Sequence, residues 1–286
     1  MRAKFVMKKT PLAGRFLRQL IRVNDQICFS AMQQWDFAKR LDPLVKSSPN
    51  QFSASAFPQN PFAETIFRSV QELADFSADA QVVALQMGVV ASVEHLLAYV
   101  EELQALRETL VATAGDPIFD DALEEQLRLR IARWKGAAPT PEYFRTLGYF
   151  RHLRNHYAHV NSQPNAAFST YTRSYGTPLN KFWDNGRTNL HGIDFRTLPS
   201  ARLTPDLAFG IMNLLRVCLW HIDDIVADTL SLPDAVRWIV QDIRSIPRNR
   251  GMSRDRLVSK VTARLEMEWN LKVEAEVTLK AIETVI

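Results

Sequence analysis

The chain has 286 residues, 47% of them hydrophobic and 23% charged, with a net charge of only +4. That is enough apolar material for one large domain or two smaller ones, and it excludes a disordered or collagen-like chain. Two cysteines, Cys28 and Cys218, exclude a disulfide framework and any CxxC metal site.

The charge is unevenly spread. Residues 1–24 carry seven Lys and Arg and no acid, and residues 237–264 carry Arg237, Arg244, Arg248, Arg250, Arg254, Arg256, Lys260 and Arg264 against Asp242 and Asp255. Such clusters can collect phosphates. The basic N-terminus looks superficially like a transit peptide, but no secretory apolar region follows. No apolar run is expected to approach a membrane span, so a cytoplasmic location is the expectation.

Pro11 opens a helical pattern in which Phe16, Leu20, Ile27, Cys28, Ala31 and Trp35 recur at helical spacing. Cys28 and Cys218 both fall on apolar stripes and are expected to be buried thiols. The pattern is expected to stop at Asp42-Pro43. Residues 46–61 read as a loop and 62–76 as a short helix. The strongest helix spans 79–110, apolar along Leu85, Val89, Val93, Leu96, Val100 and Leu103, and again along Val83, Met87, Val90 and Leu97. A helix apolar on two faces is central to a bundle. Glu94 interrupts the second stripe, either as a residue at its wet edge or as a partly buried acid that orients a cation.

A helix follows near 119–135, and Thr140-Pro141-Glu142 starts another. The segment from 161 to about 203 reads as irregular, with 168–175 as a strand or hairpin arm before Gly176. Thr204-Pro205-Asp206 starts a helix that runs to about 230. Ser231 to Asp234 reads as a capping box, and 247–256 as a basic turn. Residues 271–280 fit strand and helix equally. The expected segments are 1–61, a helical bundle over 62–231, and a basic helical extension over 232–286.

The helix that begins at Pro141 ends in Arg154-Asn155-His156-Tyr157-Ala158-His159. A guanidinium is a good phosphate ligand, and an imidazole moves protons at neutral pH. Together they suit cleavage of a phosphodiester without a metal. On one ideal helix Arg154 and His159 lie about 140° apart, so a single copy presents them poorly. His152, His156 and His159 recur at i, i+4 and i+7, which offers a second reading as a transition-metal site. A third reading is a non-catalytic helical module that binds RNA or protein. His95, His191 and His221 are scattered and receive no role.

An Arg, a polar residue, and a His after four intervening positions resembles the ribonuclease motif of the HEPN superfamily (higher eukaryotes and prokaryotes nucleotide-binding domain). The layout over about 79–230 also looks like that family: a long helix with an acid, a shorter helix, the motif helix, a variable segment and a final long helix. The resemblance implies an all-α bundle, with an irregular insert after the motif helix, that acts as a metal-independent endoribonuclease. Arg154, Asn155 and His159 would be its catalytic residues, at a composite site across a homodimer. Glu94, His156 and Tyr157 would support them, although Tyr157 also reads as a packing residue. No cofactor is implied, and Arg248, Arg250, Arg254 and Arg256 are expected to hold RNA backbone. Such proteins are often toxins or antiviral-defence effectors, with an antitoxin or companion subunit. One subfamily carries a modified Tyr two places after the motif His; Asn161 stands there.

Overall fold

A computed structural model describes Met7 and residues 9–111, 122–158, 166–184, 189–197 and 203–285. The fold is all-α. In chain order come α1 (Ala13–Ser47), α2 (Ser53–Ala56), α3 (Ala63–Ile66), α4 (Val70–Leu110), α5 (Leu123–Lys135) and α6 (Pro141–Ala158). They are followed by α7 (Ala166–Trp183), α8 (Pro205–Ala227), α9 (Leu232–Ser245), a 3-10 turn (Pro247–Asn249), α10 (Arg254–Trp269) and α11 (Ala275–Glu283).

The chain forms two compact units that interleave stretches of sequence, where three consecutive segments were expected. One comprises 1–19, 93–151 and 214–286; the other comprises 20–92 and 152–213.

The first unit is organised around Asp223 on α8. Its carboxylate accepts hydrogen bonds from the Thr10 amide at 2.8 Å, the Thr10 hydroxyl at 2.5 Å and the Tyr99 hydroxyl at 2.8 Å. All three residues are fully buried, so each donor would be costly to leave unmet. Phe16 packs edge-on against the Tyr99 ring. At the far end of α4, Arg237 donates to the Leu110 carbonyl at 2.8 Å. This satisfies one of the carbonyl acceptors that a helix C-terminus leaves open. The Ser231 capping box forms as its spacing suggests, with the Ser231 amide donating to the Asp234 carboxylate at 2.8 Å. α9, α10 and α11 pack on one another through buried Ile239, Ile243, Val261, Leu265 and Ile282. The undecided stretch 271–280 is irregular as far as Glu274 and then helical.

In the second unit, α1 and α4 run antiparallel. Gln34 accepts from Ser77 at 2.7 Å, and Leu41 packs against Val70 and Leu73. Gly88 brings the helices close: a Cβ there would meet the Ile27 side chain at 2.7 Å. Residues 168–175 are not a strand or hairpin arm. They lie in α7, where Phe168, Thr172, Gly176, Leu179 and Trp183 form one buried helical stripe. Gly176 is required for packing, because a Cβ would meet the Phe195 carbonyl at 2.5 Å and the Arg196 backbone at 2.7 Å. Asn180 clips the same stretch, accepting from the Phe195 amide at 2.9 Å and donating to Asp194 at 2.5 Å. A hydrogen bond from Arg196 holds the Asp194 carboxyl well below the usual carboxylate range.

Three further expectations are corrected. α1 continues through Pro43 to Ser47. Proline removes the hydrogen bond to the carbonyl four residues back, but Lys39 and Pro43 are both exposed, so water can take the freed acceptor. Pro178 sits equally exposed inside α7. Cys28 is exposed, because α1 turns its Val23 and Ile27 face inward instead; Cys218 is buried, and burial pushes its thiol far up. Among the described residues, α4 is long and apolar enough to cross a membrane. Yet it places Leu85, Val89, Leu96, Val100 and Leu103 in protein interior, as a bundle helix does. Its second stripe is only partly inside, since Val83 and Met87 stay about half exposed.

Candidate functional site

Residues 154–158 of the motif occupy the last turn of α6. Pro141 starts this helix, with its ring preset to helical φ and no amide to satisfy. Tyr143, Phe144, Leu147, Phe150 and Leu153 then bury one after another, which fixes the rotation of the helix about its axis. Leu153 and Tyr157 face inward in the final turn, while Arg154, Asn155 and His156 are half-buried and Ala158 is exposed. The three polar side chains therefore stand beside a packed seam. His159 lies outside the described residues, so its placement relative to Arg154 and the i, i+4, i+7 histidine face is not described.

His156 packs against Tyr157 with ring centroids 5.7 Å apart. Burial lowers its pKa, so the neutral imidazole, which can accept a proton, dominates at neutral pH. Tyr157 is buried, as a packing residue should be. Its hydroxyl is pushed up to about 12 by burial and has no hydrogen-bond partner among the described residues.

His152 is half-buried. Its ring stacks on Phe168 at 5.7 Å and lies tilted against Tyr171 at 4.9 Å, and Tyr171 meets Tyr175 edge-on at 4.8 Å. This aromatic row joins α6 to α7 beside the motif. Reading 168–175 as extended hid it, although Phe168, Thr172 and Gly176 are spaced four apart. Among the described residues, no group of three or more His, Cys, Asp or Glu is arranged to hold a metal ion.

Glu94 does not have the partly buried position of an orienting acid. It is exposed on α4. Its place is the wet edge of the stripe, because Val93, Leu96 and Leu97 take the inward positions.

The basic segment lies in the first unit. Arg248, Arg250, Arg254 and Arg256 are all exposed around the 3-10 turn and the start of α10. Arg254 pairs with Glu283. Arg248, Arg250 and Arg256 have no ion-pair partner among the described residues. Nearby Arg264 is committed to Glu268 at 2.6 Å and Asp242 at 2.5 Å, so the cluster is divided between structural and uncommitted cations.

Comparison with known protein families, with curated proteins and with solved structures finds no match.

Proposed function

We propose that this chain is a metal-independent endoribonuclease in which Arg154, Asn155 and His159 act on the scissile phosphate. The observation that carries the reading is the last turn of α6. There Arg154, Asn155 and His156, the described part of the motif's polar face, stand half-buried beside inward-facing Leu153 and Tyr157. Partial burial strengthens electrostatic contact with a phosphate, and the packed seam limits the motion of the groups that make it.

In the proposed reaction His159 takes the proton of a ribose 2′-hydroxyl. The 2′-oxygen attacks phosphorus, and the bond to the 5′-oxygen breaks as the imidazolium of His159 gives its proton to that oxygen. Arg154 binds the non-bridging oxygens and stabilises the charge that develops on them. Asn155 donates to a phosphate oxygen and orients the pair, and neutral His156 supports proton movement. The roughly 140° between Arg154 and His159 on one helix favours a site completed by a second copy of the chain. A toxin or defence role, held in check by an antitoxin or companion subunit in the cytoplasm, is the biological setting this chemistry suits.

The test follows cleavage of single-stranded RNA by the purified chain with and without a chelator. The expected result is cleavage that chelation leaves unchanged and that a single 2′-deoxy substitution at the scissile position abolishes. Cleavage lost with the chelator would assign the histidines to a metal. Absence of cleavage would leave a binding module.

Arg248, Arg250, Arg254 and Arg256 are proposed to hold the RNA backbone. Changing all four to Gln is expected to weaken binding alike across RNA sequences. It should also reduce the slope of log affinity against log salt by roughly 2–3, at about 0.7 per lost contact on a single strand. Filter binding at several salt concentrations checks this; an unchanged slope makes the segment a solvated turn.

A further inference from the structure

The second unit carries an apolar stripe that nothing in the described chain covers. On the outer side of α1, Ile21, Met32 and Trp35 are 47%, 54% and 60% exposed. Cys28 is exposed on the same line, and Phe29, 56% exposed, flanks it. The opposite side of the helix holds Val23, Ile27, Gln34 and Leu41, which face α4 or its core. The stripe is therefore not a misplaced core face. Burial on one side is already complete, and the second side is apolar in addition.

Its spacing is regular. Ile21, Asp25, Cys28, Met32, Trp35 and Lys39 alternate steps of four and three and fall within an arc of about 80°. That is the pattern of a helix seam. Asp25 and Lys39 stand at opposite ends of it, and Lys39 rests its ammonium over the Trp35 ring at 3.4 Å. Flanking the stripe, Arg22 lies towards one end and Asp36 towards the other.

We infer that α1 pairs antiparallel with α1 of a second copy, through this stripe, across a two-fold axis near residue 30. The register follows from the seam. Met32 meets Cys28 of the second copy, Trp35 meets Asp25, and Ile21 meets the aliphatic stem of Lys39. Phe29 meets its own counterpart close to the axis. The indole N–H of Trp35 is then offered to a carboxylate. Arg22 lies beside Asp36 of the second copy at both ends of one flank of the seam, giving two equivalent ion pairs.

The charge pattern selects this partner. A two-fold antiparallel pairing places the start of α1 against its end, and Arg22 and Asp36 are of opposite sign. The other exposed apolar stripe of the unit, Phe76, Val83 and Met87 on α4, lacks this property. Its charged neighbours over 70–92 are Glu72, Asp75 and Asp79, with no Lys or Arg, so a second copy would meet like charge. The area is also of the right order. Half-exposed Ile21, Phe29, Met32 and Trp35 leave roughly 400 Å² of apolar surface. The stems of Arg22, Asp25, Asp36 and Lys39 bring the face towards the about 800 Å² per partner of a stable interface.

Sedimentation equilibrium of the full chain over micromolar concentrations tests the pairing, independently of any RNA chemistry. The wild type is expected to be a dimer, and Met32→Glu and Trp35→Glu to be monomers with unchanged helical circular dichroism. Arg22→Glu should weaken the dimer by roughly tenfold, since it places two like-charge pairs at the rim. Adding Asp36→Arg to the same chain should restore it, because residues 22 and 36 are too far apart along one helix to meet. A monomeric wild type overturns the inference. So does a dimer that survives Met32→Glu, or a double variant no tighter than Arg22→Glu alone.

Discussion

Replacing Asp223 with Ala is expected to destabilise the protein by about 3 kcal/mol and to lower its melting temperature by roughly 6–12 °C. The substitution removes the acceptor for the Thr10 amide, the Thr10 hydroxyl and the Tyr99 hydroxyl. None of these donors has access to water, and each orphaned buried donor costs about 1–3 kcal/mol, partly offset by relaxation. Asp223→Asn keeps an acceptor in place and should cost less.

The same carboxyl has a pH signature. Burial raises its pKa from 3.8 to about 6, against the opposing pull of the three hydrogen bonds. The folded state then holds the proton more tightly than the unfolded state between these two values. Stability contributed by this group is therefore greatest below pH 4, and it is lost as pH rises to about 6. The total is roughly 3 kcal/mol for a shift of that size. Denaturant unfolding across pH 4–7 should show the decline in the wild type and its absence in Asp223→Asn. A flat wild-type profile over that range would mean that the three donors hold the carboxylate ionised throughout.

Arg154→Ala is expected to lower RNA cleavage at least about 1,000-fold, since it removes the group proposed to stabilise the phosphate in the transition state. Arg154→Lys should rescue only a small part, because an ammonium cannot present the planar fork of donors. Arg154 is half-buried at the end of its helix, so folding should survive, and circular dichroism checks that it does. His159→Ala should be as inactive. Mixing the two inactive variants then reads out the site. Recovery of part of the activity means that Arg154 of one chain serves His159 of the other. No recovery means that both chains must carry the intact pair. Full activity in either single variant would remove that residue from the chemistry, and a fully active monomer would remove the shared site.

Much of the helical framework is legible in the sequence, for identifiable reasons. Pro141 and the Ser231 to Asp234 capping box announce helix starts through local backbone chemistry, and both helices begin there. Local chemistry also misleads. Gly176 and Pro178 look like breakers, and the Phe-Ser-Thr-Tyr run before them looks like a strand. Yet Gly176 is needed for close packing and Pro178 sits on a wet face, so tertiary contact decides α7 against propensity. Pro43 is the same case in α1. Residues 154–158 are legible as a pattern and as a position late in α6. The contacts of His152 with Phe168 and Tyr171 are not, because they depend on α7 being a helix. Glu94 illustrates the remaining limit: a stripe position fixes the side of a helix only to within a residue or so, and at position 94 that margin separates interior from water.

Gly88 and Gly176 constrain the descent of this sequence in different ways. At position 88 the obstacle to a larger residue is the tip of the Ile27 side chain. A smaller residue at 27 relieves it, so the two positions can change together and should drift as a pair. At position 176 the obstacle is the Phe195 carbonyl and the Arg196 backbone, which every amino acid carries. No single exchange elsewhere makes room there. An ancestor could have reached the present α1–α4 contact through many intermediates, whereas the contact beneath α7 admits glycine or a different path of the chain.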